Sequence, residues 1–395
     1  MSPRVLLVSW AWPSHVRALL PLAVALRDSG DEVRVAVPLA AAALVTARGL
    51  TPVPVGPDVD VLDDFLSLSS AGPATAPGAA PRPPSGPHPG SGPPRVFAIL
   101  ERIALAMVPD LVREARSWRP DLVVFEPTAL AGPVAAAAAG VPAVRHLYGP
   151  DLMYRAREQV ASILARLADR AGVLTAPDPI GAAVIDPCPA ELQAGETYPI
   201  RFACRLPEWS AAGRPPRISA GLCVTWGDTM ARLADSLFLT GDLARGAADA
   251  GIPAVAVVRA AQRRLLGPLP GGVTVLTDRP LRDAVSTARA LISHGGAGTV
   301  ITGLAAGVPQ IVVGQLPDHT AIGRRAAASG AAICLPGEEA SCLSVLSALA
   351  ALLGDPAYAN AACGIAERYA GRPEPAALVG RVHELIGMLT LNGAL

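Results

Sequence analysis

The chain has 395 residues, too many for one ordinary hydrophobic core, so two domains are expected. Apolar residues make up 51% and charged ones only 17%, which excludes a disordered chain. Formal net charge is zero and lysine is absent, so every fixed side-chain positive charge is an arginine, and no basic excess exists to hold a nucleic acid.

Arg4–Ser9 (RVLLVS) is a short branched apolar run, suited to a strand buried on both faces of a parallel sheet. The apolar spacing of Ala18–Ser29 predicts a helix, stopped by Gly30. A strand at Glu32–Val37, a helix at Leu39–Ala47 closed by Gly49 and a strand at Thr51–Val55 continue a β-α-β-α-β rhythm, which implies a doubly wound parallel sheet. Ala71–Pro94 breaks that rhythm: it is Pro, Gly, Ala and Ser, and reads as a long mobile loop within the first domain. Helix returns over Val96–Trp118, followed by a strand at Asp121–Phe125 (DLVVF), an Ala-rich helix ending at Ala139 and a strand from Pro142 to His146.

These patterns place a first domain at 1–205, a linker at 206–219 within a Pro- and Arg-rich stretch, a second α/β domain at 220–374 and a terminal helical segment at 375–395. Strands of the second domain are expected at Leu222–Trp226, Ala254–Val258, Val273–Leu276, Ala290–Ser293 and Gln310–Val313. The six cysteines form no C-x-x-C pair, which points away from a zinc or redox motif and toward a reducing cytoplasm. Met1–Ser9 reads as a first strand and not a signal peptide. The apolar stretch Ala129–Val144 is too short and too interrupted by Gly and Pro to span a bilayer.

The most informative string is ALISHGGAGTVITGLAAGVPQIVV, Ala290–Val313. A strand ends at Ser293, His294-Gly295-Gly296-Ala297-Gly298 make the turn, and a helix begins near Thr299. Small residues let a backbone approach a ligand closely, and a helix start offers free N–H groups and a positive dipole end to a phosphate. His294 and Thr299 can add side-chain donors. His15, after the first strand, lies where ligands meet an open parallel sheet, and a histidine suits proton removal from a hydroxyl near neutral pH.

The strings HGGAGT, GLAAGVPQIVV and PDHTAIGRRAAASGAA together resemble the donor-binding signature of family 1 glycosyltransferases, and among them the actinobacterial natural-product deoxysugar transferases. SHVRALLPLAVALRDSGDEVRVA, GLTPVPVGPDVD and LCVTWGD extend the resemblance through both halves. It implies an α/β GT-B fold: two Rossmann-like doubly wound parallel-sheet domains facing a cleft, with the C-terminal helix crossing back to the first domain. It also implies His15 as catalytic base with Glu126 as its orienting acid, and a donor diphosphate on His294, Gly295, Gly296, Ala297, Gly298 and Thr299. Nucleoside contacts would fall on Gly227, Thr229 and Arg279, and sugar hydroxyls on Asp318 and His319, where the family has Asp-Gln.

The implied reaction is an inverting transfer from a TDP-linked deoxysugar to a polyketide-like or other apolar aglycone, with no cofactor and no metal. Asp58-Val59-Asp60 has D-x-D spacing, but lies in the acceptor half, and the related transferases carry a similar GxDVD stretch. The expected partners are therefore two small molecules, with no nucleic acid and no membrane. Some relatives need a cytochrome-P450-like helper protein, and the sequence leaves that open, along with a homodimer, the sugar and the aglycone. A dinucleotide-dependent oxidoreductase needs a Gly-rich turn after the first strand, and here that turn is Trp10-Ala11-Trp12-Pro13-Ser14. A non-catalytic helper of the same fold and a sugar-nucleotide epimerase stay as alternatives.

Overall fold

A computed structural model of the chain describes residues 2–68, 95–193, 195–206 and 220–391. The expected loop at 71–94 and all of the expected linker but Leu206 lie outside the described residues. The chain divides into two compact units. One draws on the described residues of Met1–Asp60, Val96–Pro207 and Gly371–Leu395; the other on those of Val61–Arg95 and Glu208–Ala370.

The first unit is built on a seven-stranded sheet of β1 (Arg4–Val8), β2 (Glu32–Val37), β3 (Thr51–Pro54), β4 (Leu122–Phe125), β5 (Ala143–His146), β6 (Ala183–Asp186) and β7 (Arg201–Ala203). Its order is β3-β2-β1-β4-β5-β6-β7, and every pairing is parallel. The second unit has six strands: β8 (Ala220–Thr225), β9 (Ala254–Val258), β10 (Val273–Thr277), β11 (Ala288–Ser293), β12 (Gln310–Gly314) and β13 (Ala332–Pro336). Their order is β10-β9-β8-β11-β12-β13, again all parallel. Each sheet starts at its centre, runs out to one edge and then restarts on the other side of its first strand. That reversal leaves a switch point between β1 and β4, and another between β8 and β11, where open α/β sheets bind ligands.

The helices that matter for the sites are α1 (Pro13–Asp28), α2 (Arg95–Trp118), α3 (Ala297–Ala305), α4 (Pro317–Ala328) and α5 (Val379–Leu391). Apolar periodicity predicts the first helix from Ala18, but α1 begins at Pro13, with Trp12 as its N-cap. Proline at the first helical position loses no hydrogen bond and presets φ, so it starts a helix where an apolar-period reading sees a loop. His15 therefore sits on the first turn of α1 and not in a loop. Strands β6, β7 and β13 have no counterpart among the expected ones; β6 and β7 are only four and three residues long. The tail of the chain returns to the first unit: Leu378, Val379, Val382 and Leu385 are buried in the core that also holds Val5, Leu7, Leu19 and Leu22. His383 Nε2 reaches the buried Asp31 carboxylate at 2.8 Å. Among the described residues, no single helix is long and apolar enough to cross a membrane.

His146, at the end of β5, is 1% exposed. Burial pushes its pKa down to about 4 from an ordinary 6.5. The unfolded chain therefore takes up this proton first as pH falls, and the contribution present above pH 6.5 is lost between there and about pH 4. Two and a half pKa units correspond to about 3 kcal/mol. Buried Asp151 and Asp186 carry pKa values raised by desolvation and act in the opposite sense. The clean measurement is thus a difference: urea unfolding of wild type and His146→Gln at pH 7.5 and pH 5. Wild type is expected to lose about 2 kcal/mol more than the variant over that interval.

Candidate active site

At the switch point of the first sheet, β1 pairs with β4 so that Val8 lies beside Phe125. The residues leaving these two strands are Ser9-Trp10 and Glu126, and they meet the first turn of α1. Glu126 has a side chain with no exposure, and His15 one of 12%. Thr128 stands between them. Its backbone N–H donates to Glu126 Oε2 at 2.8 Å, and its hydroxyl lies 2.7 and 2.9 Å from the two carboxylate oxygens. His15 Nδ1 lies 3.1 Å from Thr128 Oγ1 and 3.4 Å from Glu126 Oε2. Trp10 Nε1 lies 3.0 Å from Thr128 Oγ1 and 3.3 Å from His15 Nδ1. Tyr148, just past β5, stacks on the imidazole with ring centroids 3.8 Å apart. The inner edge of the imidazole is thus crowded with polar partners, and Nε2 is the nitrogen left for a ligand. Thr128, Trp10 and Tyr148 were not expected; the only local trace of Thr128 is a hydroxyl residue two positions after an acid.

The second unit repeats the plan. Ser293 of β11 lies beside Thr225 of β8, and the chain leaves these strands as His294 and Trp226-Gly227. His294 is 3% exposed and its Nδ1 has no hydrogen-bond partner. Burial, assisted by His319, holds its pKa well below the ordinary value. The ring is enclosed by two glycines. A Cβ on Gly227 would stand 2.7 Å from His294 Cε1, and one on Gly296 would stand 2.6 Å from Nε2. Gly295 lies over Val312 and the main chain of His319.

Gly296 caps α3 without a side-chain acceptor, and Thr299 and Val300 both donate to its carbonyl. The N–H groups of Ala297 and Gly298 belong to the first turn, which has no acceptor inside the helix. Gly298 is exposed and a Cβ there meets nothing within 4 Å. Thr299 is half-buried.

The other expected donor contacts are dispersed within this unit. The Gly227 carbonyl accepts from Gln262 Nε2 at 2.6 Å. Thr229 opens a short helix, and the placement of its side chain lies outside what is described. Arg279 is engaged by the buried Asp283 at 2.9 Å. In α4, Asp318 is 53% exposed while His319 is 5% exposed, with its ring edge-to-face on His294 at 4.7 Å. His319 is therefore enclosed beside the loop, whereas Asp318 is open to a ligand. Behind the loop, Trp226 Nε1 donates to Gln315 Oε1 at 2.7 Å and Gln315 Nε2 donates to the Leu237 carbonyl, a buried pair the sequence did not signal. In the first unit, Asp58 of the D-x-D string accepts the Ala40 backbone N–H at 3.1 Å, and the Asp60 carbonyl accepts from Arg102.

Two family profiles match the chain: the Erythromycin biosynthesis protein CIII-like N-terminal domain over residues 96–210, and the corresponding C-terminal domain over residues 243–385. The chain belongs to the CIII-like glycosyltransferase family. It is 32% identical to the 10-deoxymethynolide desosaminyltransferase of Streptomyces venezuelae over 97% of both chains. It is also 32% identical to the aklavinone 7-beta-L-rhodosaminyltransferase of Streptomyces galilaeus, over 95% of this chain and 94% of that one. Among solved structures, the spinosyn rhamnosyltransferase SpnG superposes with a TM-score of 0.77 at 27% identity, covering 96% of this chain and all of that one. The glycosyltransferase VinC in complex with dTDP gives 0.74 at 27% identity, over 98% of this chain. The two parallel sheets are thus those of a GT-B enzyme, and the chain is a glycosyltransferase.

Proposed function

We propose that this family member moves a deoxysugar from a TDP donor to a hydroxyl of a polyketide-like or other apolar aglycone, with inversion at the anomeric carbon and without a metal. The observation that carries the reading is the His15–Thr128–Glu126 cluster, which leaves one imidazole nitrogen for an acceptor proton. In this scheme His15 Nε2 takes the proton from the acceptor hydroxyl. The freed oxygen attacks the anomeric carbon from the face opposite the diphosphate, and the bond to the diphosphate oxygen breaks. The N–H groups at the start of α3, His294 and Thr299 stabilise the charge on the leaving diphosphate. Asp318, open on α4, accepts from a sugar hydroxyl. The donor class is supported by the solved relatives complexed with thymidine diphosphate, and the acceptor class by the macrolactone and anthracyclinone transferases among the relatives.

The test is calorimetric binding of TDP against UDP, then turnover with TDP-deoxyhexoses and a panel of macrolactone and anthracyclinone aglycones. TDP is expected to bind more tightly, and the product's anomeric configuration by NMR is expected to be opposite to the donor's. Turnover is expected to survive EDTA. Sugar release or epimerisation with no aglycone present would favour the epimerase reading, and TDP binding without turnover a non-catalytic helper.

A further inference from the structure

We infer that Thr128 is a positioning residue that sets the tautomer of His15, and that it does so by taking the indole N–H of Trp10 away from the imidazole. The inference rests on His15 being the base of the proposed reaction. Four side chains share the donors and acceptors around the imidazole. Indole Nε1 only donates; a carboxylate only accepts; a threonine hydroxyl donates once and accepts up to twice; a neutral imidazole has one nitrogen of each kind.

The buried Glu126 carboxylate faces Thr128 N–H, the Thr128 hydroxyl and His15 Nδ1. If the Thr128 O–H donates to Glu126, its two lone pairs are free for Trp10 Nε1–H at 3.0 Å and for His15 Nδ1–H at 3.1 Å. Each donor then has an acceptor, with the Trp10 N–H turned from Nδ1, 3.3 Å away, to the nearer Thr128 oxygen; the proton of neutral His15 is on Nδ1, and Nε2 carries the lone pair a base needs.

The opposite arrangement puts the lone pair on Nδ1. It would face Glu126 Oε2 at 3.4 Å, lone pair against carboxylate, and it would draw either the Thr128 O–H or the Trp10 N–H. A Thr128 hydroxyl turned to Nδ1 deprives the buried carboxylate of a donor, which costs about 1–3 kcal/mol. Trp10 Nε1 is nevertheless within 3.3 Å of Nδ1, so a rival donor for the wrong tautomer is built into the site. The Thr128 oxygen, at 3.0 Å, competes for it. Once His15 is protonated, its Nδ1–H remains on Thr128 and the charge stands against Glu126, so the same contacts serve both states of the base.

Two measurements on the full chain test this. The first is the tautomer of His15 by long-range 15N–1H NMR of 15N-histidine-labelled protein, with the His15 signal assigned from its loss in His15→Gln. Wild type is expected in the Nδ1–H form, and Thr128→Val, which keeps shape but removes the hydroxyl, with a larger share of the Nε2–H form. The second is turnover. Thr128→Val is expected to lose about 10²-fold in kcat with TDP affinity retained, and Thr128→Ser to recover most of it. Adding Trp10→Phe to Thr128→Val removes the rival donor and is expected to raise kcat about tenfold over Thr128→Val alone.

An Nε2–H form in wild type, or an unchanged Nδ1–H form in Thr128→Val, overturns the inference; the wild-type spectrum decides even if the valine variant does not fold. A double variant no faster than Thr128→Val also overturns it. A tautomer that switches while kcat is unchanged supports the role of Thr128 and instead removes His15 as base.

Discussion

His15→Ala is expected to lower kcat/KM for a hydroxyl acceptor by about 10² to 10⁴-fold, the range a positioned general base contributes. The effect should fall on the chemical step. TDP affinity should change little, because the candidate diphosphate contacts all belong to the other unit. A histidine at this place is better prepared than an isolated one. Tyr148 covers one ring face, Nδ1 is turned to Thr128 and Glu126, and a side-chain exposure of 12% leaves an open edge. Glu126 cannot take over the role: its side chain has no exposure and its oxygens are held by Thr128. Single-turnover rates across pH 6 to 9, with saturating donor, give the measurement. A rate within threefold of wild type for an aliphatic hydroxyl acceptor would remove His15 as base.

Gly296→Ala should be a damaging small change on the donor side, and one whose cause is easily read. The Gly296 backbone, at φ −58° and ψ 135°, suits any residue, so no conformational strain confuses the outcome. The whole effect comes from one methyl group standing 2.6 Å from His294 Nε2. The imidazole has little room to retreat, since Gly227 lies against Cε1 and His319 packs on its face. It must shift by several tenths of an ångström or tilt, and the N–H proposed to meet the diphosphate shifts with it. A misplacement of about 1 Å can cost about 10²-fold in reactivity, so a shift of several tenths is expected to cost roughly tenfold. Donor kcat/KM and TDP affinity are expected to fall together, with acceptor KM nearly unchanged. Normal TDP affinity in a folded Gly296→Ala protein would show that His294 does not contact the diphosphate.

Both sites were partly visible in the sequence because they depend on local chemistry. The run HGGAGT after an apolar strand reports a tight turn into a helix start, and neighbouring residues make that feature. The continuous apolar runs RVLLV, LVVF and ALIS report strands covered on both faces, which parallel sheets require. Pro13 was equally visible, but its meaning as a helix start was hidden by an apolar pattern that begins five residues later.

What the tertiary structure decided involves residues distant in sequence. Thr128 reaches His15 across 113 residues because β1 and β4 are adjacent in the sheet, and chain order does not state that adjacency. Trp226 and Gln315, 89 residues apart, likewise meet through the sheet order, which sets β12 one strand beyond β11 from β8. His319 shows the limit most plainly. Its position beside Asp318 marked it for a sugar hydroxyl, yet α4 turns its ring inward onto His294 and leaves only Asp318 outside. Adjacent residues on a helix point about 100° apart, so which of the two meets the ligand depends on how the helix packs and not on their order. Local sequence accounts for most of the strands, though not β6, β7 or β13, and for the glycine turn and the histidines. Strand order and helix packing decided which hydrogen bonds those histidines make, and so which of their nitrogens are free to react.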